Sequence, residues 1–226
     1  MSVAVDVLPV DDRRATLPLY TAADASFYLG VPESTLRRWV HPTEDQVPLI
    51  TALEQKGHGP FIPFIGLAEA FILTAARRNK LTPRDIRDGV EAIKDEYGID
   101  HALAHRMIYF DLVNREIGIS RSEHHHERAR DRQMQFLDAV APYLVFLDFG
   151  SDDYARKITL PRFPIRVTAS PFVAGGDPIV QKTSVRLRDI IGLQTAGASN
   201  GEIAEESGLT PDEVEGLLAV AAGTPS

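Results

Sequence analysis

The run of turn and cap residues between Pro164 and Ala222 restricts the fold more tightly than any other stretch of this chain. Ile165-Arg166-Val167 reads as a strand, because β-branched residues flank one polar residue. Gly175-Gly176-Asp177-Pro178 is a turn, where the glycines permit positive φ and Pro178 fixes the exit toward a short strand at Ile179-Val180. From Val185 to Ala196 the apolar positions Leu187, Ile190 and Ile191 recur at helical spacing, and Gly197 closes the helix. Ser199 caps a second helix with Glu202 three residues on. Thr210 caps a third, with Pro211 first inside and Glu213 as its capping-box partner.

The last two of these helices have helix-turn-helix spacing: Ala204 is small at the crossing, Gly208 makes the turn, and Val214 turns inward. Their charge opposes a DNA-reading role. From Ser199 to the end there are six acids and no lysine or arginine. Affinity for phosphate comes from counterion release by cations, and this face has none. It is expected to face protein.

The run Ser170-Pro-Phe-Val-Ala-Gly-Gly-Asp-Pro-Ile-Val, then Thr183, the helix to Gly197, Glu202-Ile203-Ala204 and Leu209 to Val214 together resemble the module known as domain of unknown function 433. The resemblance implies an antitoxin of the kind paired with PIN-type nuclease toxins. One step departs from that module: where a Gly-Thr-Arg-hydrophobe step is usual, this chain has Lys182-Thr183-Ser184-Val185.

With 226 residues and 44% hydrophobic content, the chain has material for one or two globular domains. A formal charge of -8 opposes coating nucleic acid or an anionic membrane over the whole surface, but leaves room for a local basic patch. With no cysteine, disulfides, catalytic thiols and cysteine-ligated zinc are excluded. No amino-terminal signal pattern and no membrane-length apolar run is present, so a cytoplasmic protein is expected.

Met1 to Pro18 shows no clean period and reads as a loose tail, or as an arm that orders against a partner. Tyr20 to Val40 is more informative. Thr21 caps a helix with Asp24 three residues on, Ser26 is small at a crossing, Gly30 makes a turn, and Leu36 packs inward from a second helix opening near Pro32. Leu29 to Trp39 resembles the recognition half of MerR-like helix-turn-helix proteins. A helix end bearing Ser34, Thr35, Arg37 and Arg38 suits base edges and phosphates in a major groove, or else is a solvated face of an ordinary helical hairpin.

Val47 to Leu53 and Phe61 to Phe64 are expected to pair as a wing around Gly57-His58-Gly59. A helix follows from Gly66 to Lys80, and Thr82 caps the next, up to Tyr97-Gly98. The eleven residues from Arg77 to Arg87 hold five cations against one acid, which offers a phosphate grip through Arg77, Arg78 and Lys80. The alternative is that these cations only soften helix ends. A hairpin is expected from Tyr109-Val113 and Ile117-Ile119. Three adjacent histidines, His124 to His126, point in different directions on a helix and cannot chelate one ion together. The pair His101 and His105, four apart on one helix, lacks the Glu and third ligand of a zinc hydrolase, so all five read as solvated. Gln133 to Phe149 reads as an apolar helix broken near Pro142, serving as core or dimer seam, and Tyr154 to Arg162 reads as strand.

The expected fold is mainly α with short β-hairpins. It divides into a flexible arm (1–18), a winged helix-turn-helix DNA-binding domain (19–115), a connecting or dimerisation segment (116–163) and a tri-helical module (164–226). No phosphate loop, nucleophile elbow or apolar carboxylate pair is present, so no catalytic residue, metal or cofactor is assigned. A DNA-binding half joined to a partner-binding half resembles a VapB-like antitoxin. The resemblance implies a PIN-like ribonuclease toxin as partner and operator DNA bound to repress its own operon, and a two-fold operator calls for a homodimer. Arg162, Arg166, Arg186 and Arg188 are expected to approach the carboxylates of the toxin, or else they only balance nearby acids such as Asp177 and Asp189. The other reading is a MerR-like transcriptional regulator with a carboxyl-terminal ligand or oligomerisation domain and no toxin. On the antitoxin reading, a chain ending near Ser151 is expected to keep operator binding and lose neutralisation.

Overall fold

The computed structural model describes residues 8–41, 47–111, 116–119 and 142–223, with the backbone alone at 109–111 and 116–119. Among the described residues it is mainly helical, with one two-stranded hairpin and one four-stranded antiparallel sheet. Residues 8–18 of the amino-terminal arm lie against the rest of the fold, with Leu8 in the core. Asp12 caps a one-turn helix α1 (Arg13–Thr16) by accepting from the Arg14 amide, and Arg14 itself is buried.

Helices α2 (Ala22–Leu29) and α3 (Glu33–Val40) form the helix-turn-helix. The capping box of Thr21 and Asp24 starts α2. Gly30, at φ 65°, ends it in the left-handed conformation that glycine adopts without steric cost. The Ser26 hydroxyl donates to the Val31 carbonyl at 2.5 Å, tying the turn to the preceding helix. Leu36, Trp39 and Val40 pack inward from α3.

The wing is minimal. A single bond from the Leu53 amide to the Phe61 carbonyl, 2.8 Å long, closes the loop around Gly57. Phe61-Ile62 pairs instead with Tyr20, and Phe64 already belongs to the long central helix α4 (Phe64–Arg78). Every residue of α4 from Phe64 to Ala76 is buried, because neighbours cover it on all sides. The Cβ of any larger residue at Gly66 would stand 2.1 Å from the Thr51 carbonyl oxygen, so that glycine lets the wing segment lie directly on α4. Helix α5 (Pro83–Tyr97) begins on the Thr82–Asp85 capping box and ends at Gly98. Strands β1 (Ile108–Asp111) and β2 (Glu116–Ile119) pair antiparallel as the expected hairpin, with Asp111 opposite Glu116.

Two expectations are corrected here. Residues 133–141 of the apolar helix read over Gln133–Phe149 lie outside the described residues, and its far end is not helix. Leu147–Phe149 is strand β3, which pairs with β4 (Ala155–Thr159). Residues 142–144 are helical and 145–146 turn, and only at Leu147, whose apolar character suits helix and strand equally, does pairing with β4 make strand. His101 and His105 do not share a helix either. They flank a 3-10 turn, Ala102–Ala104, and point into the protein. His124 to His126 lie outside the described residues.

Strand β4 pairs with β5 (Val167–Ala169), and β5 with β6 (Ile179–Val180), giving the order β3-β4-β5-β6. After β6 the chain turns at 181–183, and the bridge between Ile179 and Arg186 keeps Arg186 extended, so helix α6 (Leu187–Thr195) starts at Leu187. Helices α7 (Asn200–Ser207) and α8 (Pro211–Ala222) follow, each on its expected capping box. One continuous core runs from Leu8 and Tyr20 through α4 to Tyr154, β4, β5 and Leu218.

Candidate functional site

The helix-turn-helix presents its polar residues outward. Leu36 is fully buried, which turns Ser34, Arg37 and Arg38 to solvent on α3, with Thr35 half-buried. Arg37 bonds Glu33 one turn earlier at 2.7 Å, an exposed pair that water and salt readily exchange. Arg38 has no ion pair among the described residues. Arg77, Arg78 and Lys80 gather at the end of α4, where cations favour the helix carbonyl end. Arg77 donates to the Leu81 carbonyl at 3.1 Å and Arg78 to the Tyr143 hydroxyl at 3.3 Å, whereas Lys80 is exposed at φ 66°. Farther on, Arg87 donates to the Val47 carbonyl at 2.9 Å, joining α5 to the segment that follows α3.

Of the four arginines expected to meet a toxin, the structure sets Arg162 apart. Its guanidinium donates to the Phe27 carbonyl in the last turn of α2 and, at 3.2 Å, to the Val220 carbonyl in the last turn of α8. One cation thus serves the carbonyl ends of two helices from opposite ends of the chain. It also lies over the Phe27 ring at 5.2 Å and the Phe163 ring at 5.7 Å, and burial lowers its pKa. Arg186 and Arg188 are exposed, yet both reach Asp177, the former at 3.8 Å. Burial pushes the Asp177 pKa up despite these two cations. Arg166 is exposed and unpaired among the described residues.

Sequence reasoning missed the groups that join the two ends. The buried Tyr20 hydroxyl donates to the Gly176 carbonyl at 2.8 Å, and Leu19 presses so closely on Gly176 that a Cβ there would lie 2.7 Å from a Leu19 methyl. Arg14 pairs with both Asp12 and Asp152, which holds the arm to the loop before β4. No pattern in the local sequence signals these long-range partners. At the centre, Glu69 accepts from the Thr51 amide at 2.5 Å and lies 3.2 Å from His101. Burial opposes charge on His101, but the Glu69 carboxylate outweighs it and raises the pKa. Burial lowers that of His105, whose ring meets Tyr154 edge-on at 5.0 Å. The buried Tyr154 hydroxyl has no hydrogen-bond partner among the described residues, and burial pushes its pKa up to about 12.

The tri-helix keeps its acids exposed at Glu202, Glu205, Glu206, Asp212 and Glu215, while Glu213 accepts from Lys182 at 2.6 Å. Among the described residues no group of acids and histidines is arranged to hold a metal ion, and no helix is long and apolar enough to cross a membrane.

Residues 18–90 match a family described as "Putative DNA-binding HTH domain", and residues 167–221 match "Protein of unknown function (DUF433)". The chain is 32% identical over 237 aligned positions to a Mycobacterium tuberculosis protein named "Putative antitoxin VapB45", covering 92% of this chain and 95% of the relative. The X-ray crystal structure of Rv2018 from Mycobacterium tuberculosis is similar at TM-score 0.67 and 30% identity, over 91% of this chain and 99% of that one.

Proposed function

This chain belongs to the family of VapB-like antitoxins with an amino-terminal helix-turn-helix, and from that premise we propose that it binds and neutralises a PIN-like ribonuclease toxin in the cytoplasm and represses its own operon. The observation that carries the DNA half is α3, which buries Leu36, Trp39 and Val40 and presents Ser34, Arg37 and Arg38 together. Side chains of this kind on a rigid second helix read base edges and phosphates. Thr35 supports them from the same helix, and Arg77, Arg78 and Lys80 extend the contact to flanking phosphates. A homodimer, which a two-fold operator requires, would place one such helix in each half-site.

For the toxin half, the family implies a partner, and the carboxyl-terminal arginines are the groups suited to it. Arg166, Arg186 and Arg188 are exposed, and guanidinium pairs bidentately with the carboxylates that a metal-dependent nuclease gathers. Arg162 would act from behind, holding α8 against α2. Co-expression with the product of the adjacent reading frame, followed by pull-down and a nuclease assay, tests this half. Retardation of operator fragments over a salt series tests the other. A chain that retards DNA but captures no nuclease would be a transcriptional regulator without a toxin.

A further inference from the structure

The loop between β5 and β6 carries an exposed apolar tip. Phe172 is 51% and Val173 46% exposed, while Ser170 and Pro171 before them and Gly176, three residues beyond Val173, are buried. The tip is held stiffly. Ala174, Gly175 and Gly176 follow one another at φ 50°, 68° and 95°, a backbone course that an alanine enters only against steric resistance. The Val173 amide bonds the Ser170 carbonyl at 3.2 Å, the Gly176 amide bonds the Val173 carbonyl at 2.9 Å, and the Ser170 hydroxyl donates to the Arg156 carbonyl at 2.9 Å. Tyr20 and Leu19 fix the far side of the loop through Gly176. Beside the tip, the Arg156 guanidinium lies over the Phe172 ring at 5.9 Å.

Charge distinguishes the possible occupants. Residues 156–188 hold seven cations against one acid, which by count would suit nucleic acid. Most are already engaged. Lys157 pairs with Asp148, Lys182 with Glu213, Arg186 and Arg188 with Asp177, and Arg162 is spent on helix carbonyls. Among the described residues only Arg156 and Arg166 of these seven lack such partners. Two cations release few counterions, whereas a preorganised aromatic beside an arginine is the composition of a protein–protein anchor.

We propose that the Phe172-Val173 tip, with Arg156 behind it, is the anchor by which this chain holds its toxin, seated in an apolar pocket with a carboxylate at its rim. This rests on the antitoxin reading. It places the binding energy at the tip and leaves Arg186 and Arg188 to a secondary role.

The test uses the full-length chain and, as probe, the protein encoded by the adjacent reading frame in an inactive carboxylate variant. Wild type, Phe172→Ala, Arg156→Ala and Arg188→Ala are compared by titration calorimetry, with operator retardation as a control for folding. Phe172→Ala is expected to weaken toxin binding at least tenfold and Arg156→Ala severalfold, with Arg188→Ala causing a smaller loss and operator binding unchanged. Undiminished toxin affinity in Phe172→Ala would overturn the anchor while leaving the antitoxin reading in place. Failure of the wild type to bind the probe would overturn both. If Phe172→Ala instead abolishes self-association of the toxin-free chain, or retention of a single-stranded oligonucleotide, the tip belongs to that occupant and the proposal falls. Should Phe172→Ala fold poorly, Phe172→Leu replaces it, which keeps the apolar bulk but loses the ring, and is expected to lose affinity in between.

Discussion

Two tyrosines in the same core make opposite use of their hydroxyls. Tyr20 donates to Gly176, whereas the Tyr154 hydroxyl is buried with no partner among the described residues. Removing the first should cost about 1 kcal/mol, the net worth of a hydrogen bond, with more if the Gly176 carbonyl stays dry. Tyr154→Phe removes an unsatisfied polar atom and should leave stability unchanged or raise it. Urea denaturation of the two variants checks the contrast, and equal losses would refute it. The histidines also differ in sign. The pKa of His101 is raised in the folded state, so its pairing with Glu69 stabilises fully below the unfolded value of about 6.5 and is lost as pH rises through the folded value. That of His105 is lowered, so its contribution is present above about 6.5 and is lost as pH falls through the folded value. His101→Gln should therefore remove the decline on the alkaline side and keep the one on the acid side, read as urea midpoints between about pH 5 and 9.

Among the elements, α3 and the capped helices show what local chemistry can specify. The boxes at Thr21, Thr82, Ser199 and Thr210 all form as their spacing implies, because each partner lies within one turn of its own helix. The outward face of α3 was legible for the same reason, since inward Leu36 and Trp39 leave only one side for Arg37 and Arg38. Arg38→Ala should weaken operator binding and lower the slope of log K against log salt by about 0.9, the contribution of one phosphate contact. Arg37→Ala should do slightly less, since contact with a phosphate gives up its weak exposed pair with Glu33. An unchanged slope in the double variant would remove α3 from the DNA interface. Strand β3 was not legible. Its apolar residues suit a helix equally well, and its partner β4 selects strand only once the sheet is assembled.

At the scale of the whole molecule, the ends of the chain are fastened to each other. Arg162 spans α2 and α8, Tyr20 meets Gly176, and Arg14 meets Asp152, all around one continuous core. A chain ending near Ser151 would lose Tyr154, Ile158 and Leu160 from that core. Instead of keeping operator binding it should lose cooperative unfolding, because several large side chains vanish at about 2–5 kcal/mol each. Arg162→Ala should be milder: the protein should fold with a lower urea midpoint, since both carbonyls can then turn to water. A truncated chain with a sharp transition and full DNA affinity would show that the helix-turn-helix stands alone.

The sequence by itself determined the helices of the last quarter, the turn at Gly30, the hairpin at β1 and β2 and the polar face of α3, since each depends on residues a few positions apart. Only the tertiary structure decided which cations are free. Arg162 and Arg166 look alike in the sequence, but one ends between two helix carbonyls and the other in solvent. The same holds for His101, whose charge depends on Glu69 thirty-two residues before it, and for His105, which is buried with its ring against Tyr154 forty-nine residues after it. Side-chain electrostatics act over a few ångströms of space, while sequence patterns report only a few residues of chain. A partner brought in by the fold from 135 residues away, as Phe27 is to Arg162, leaves no trace in the residues beside it.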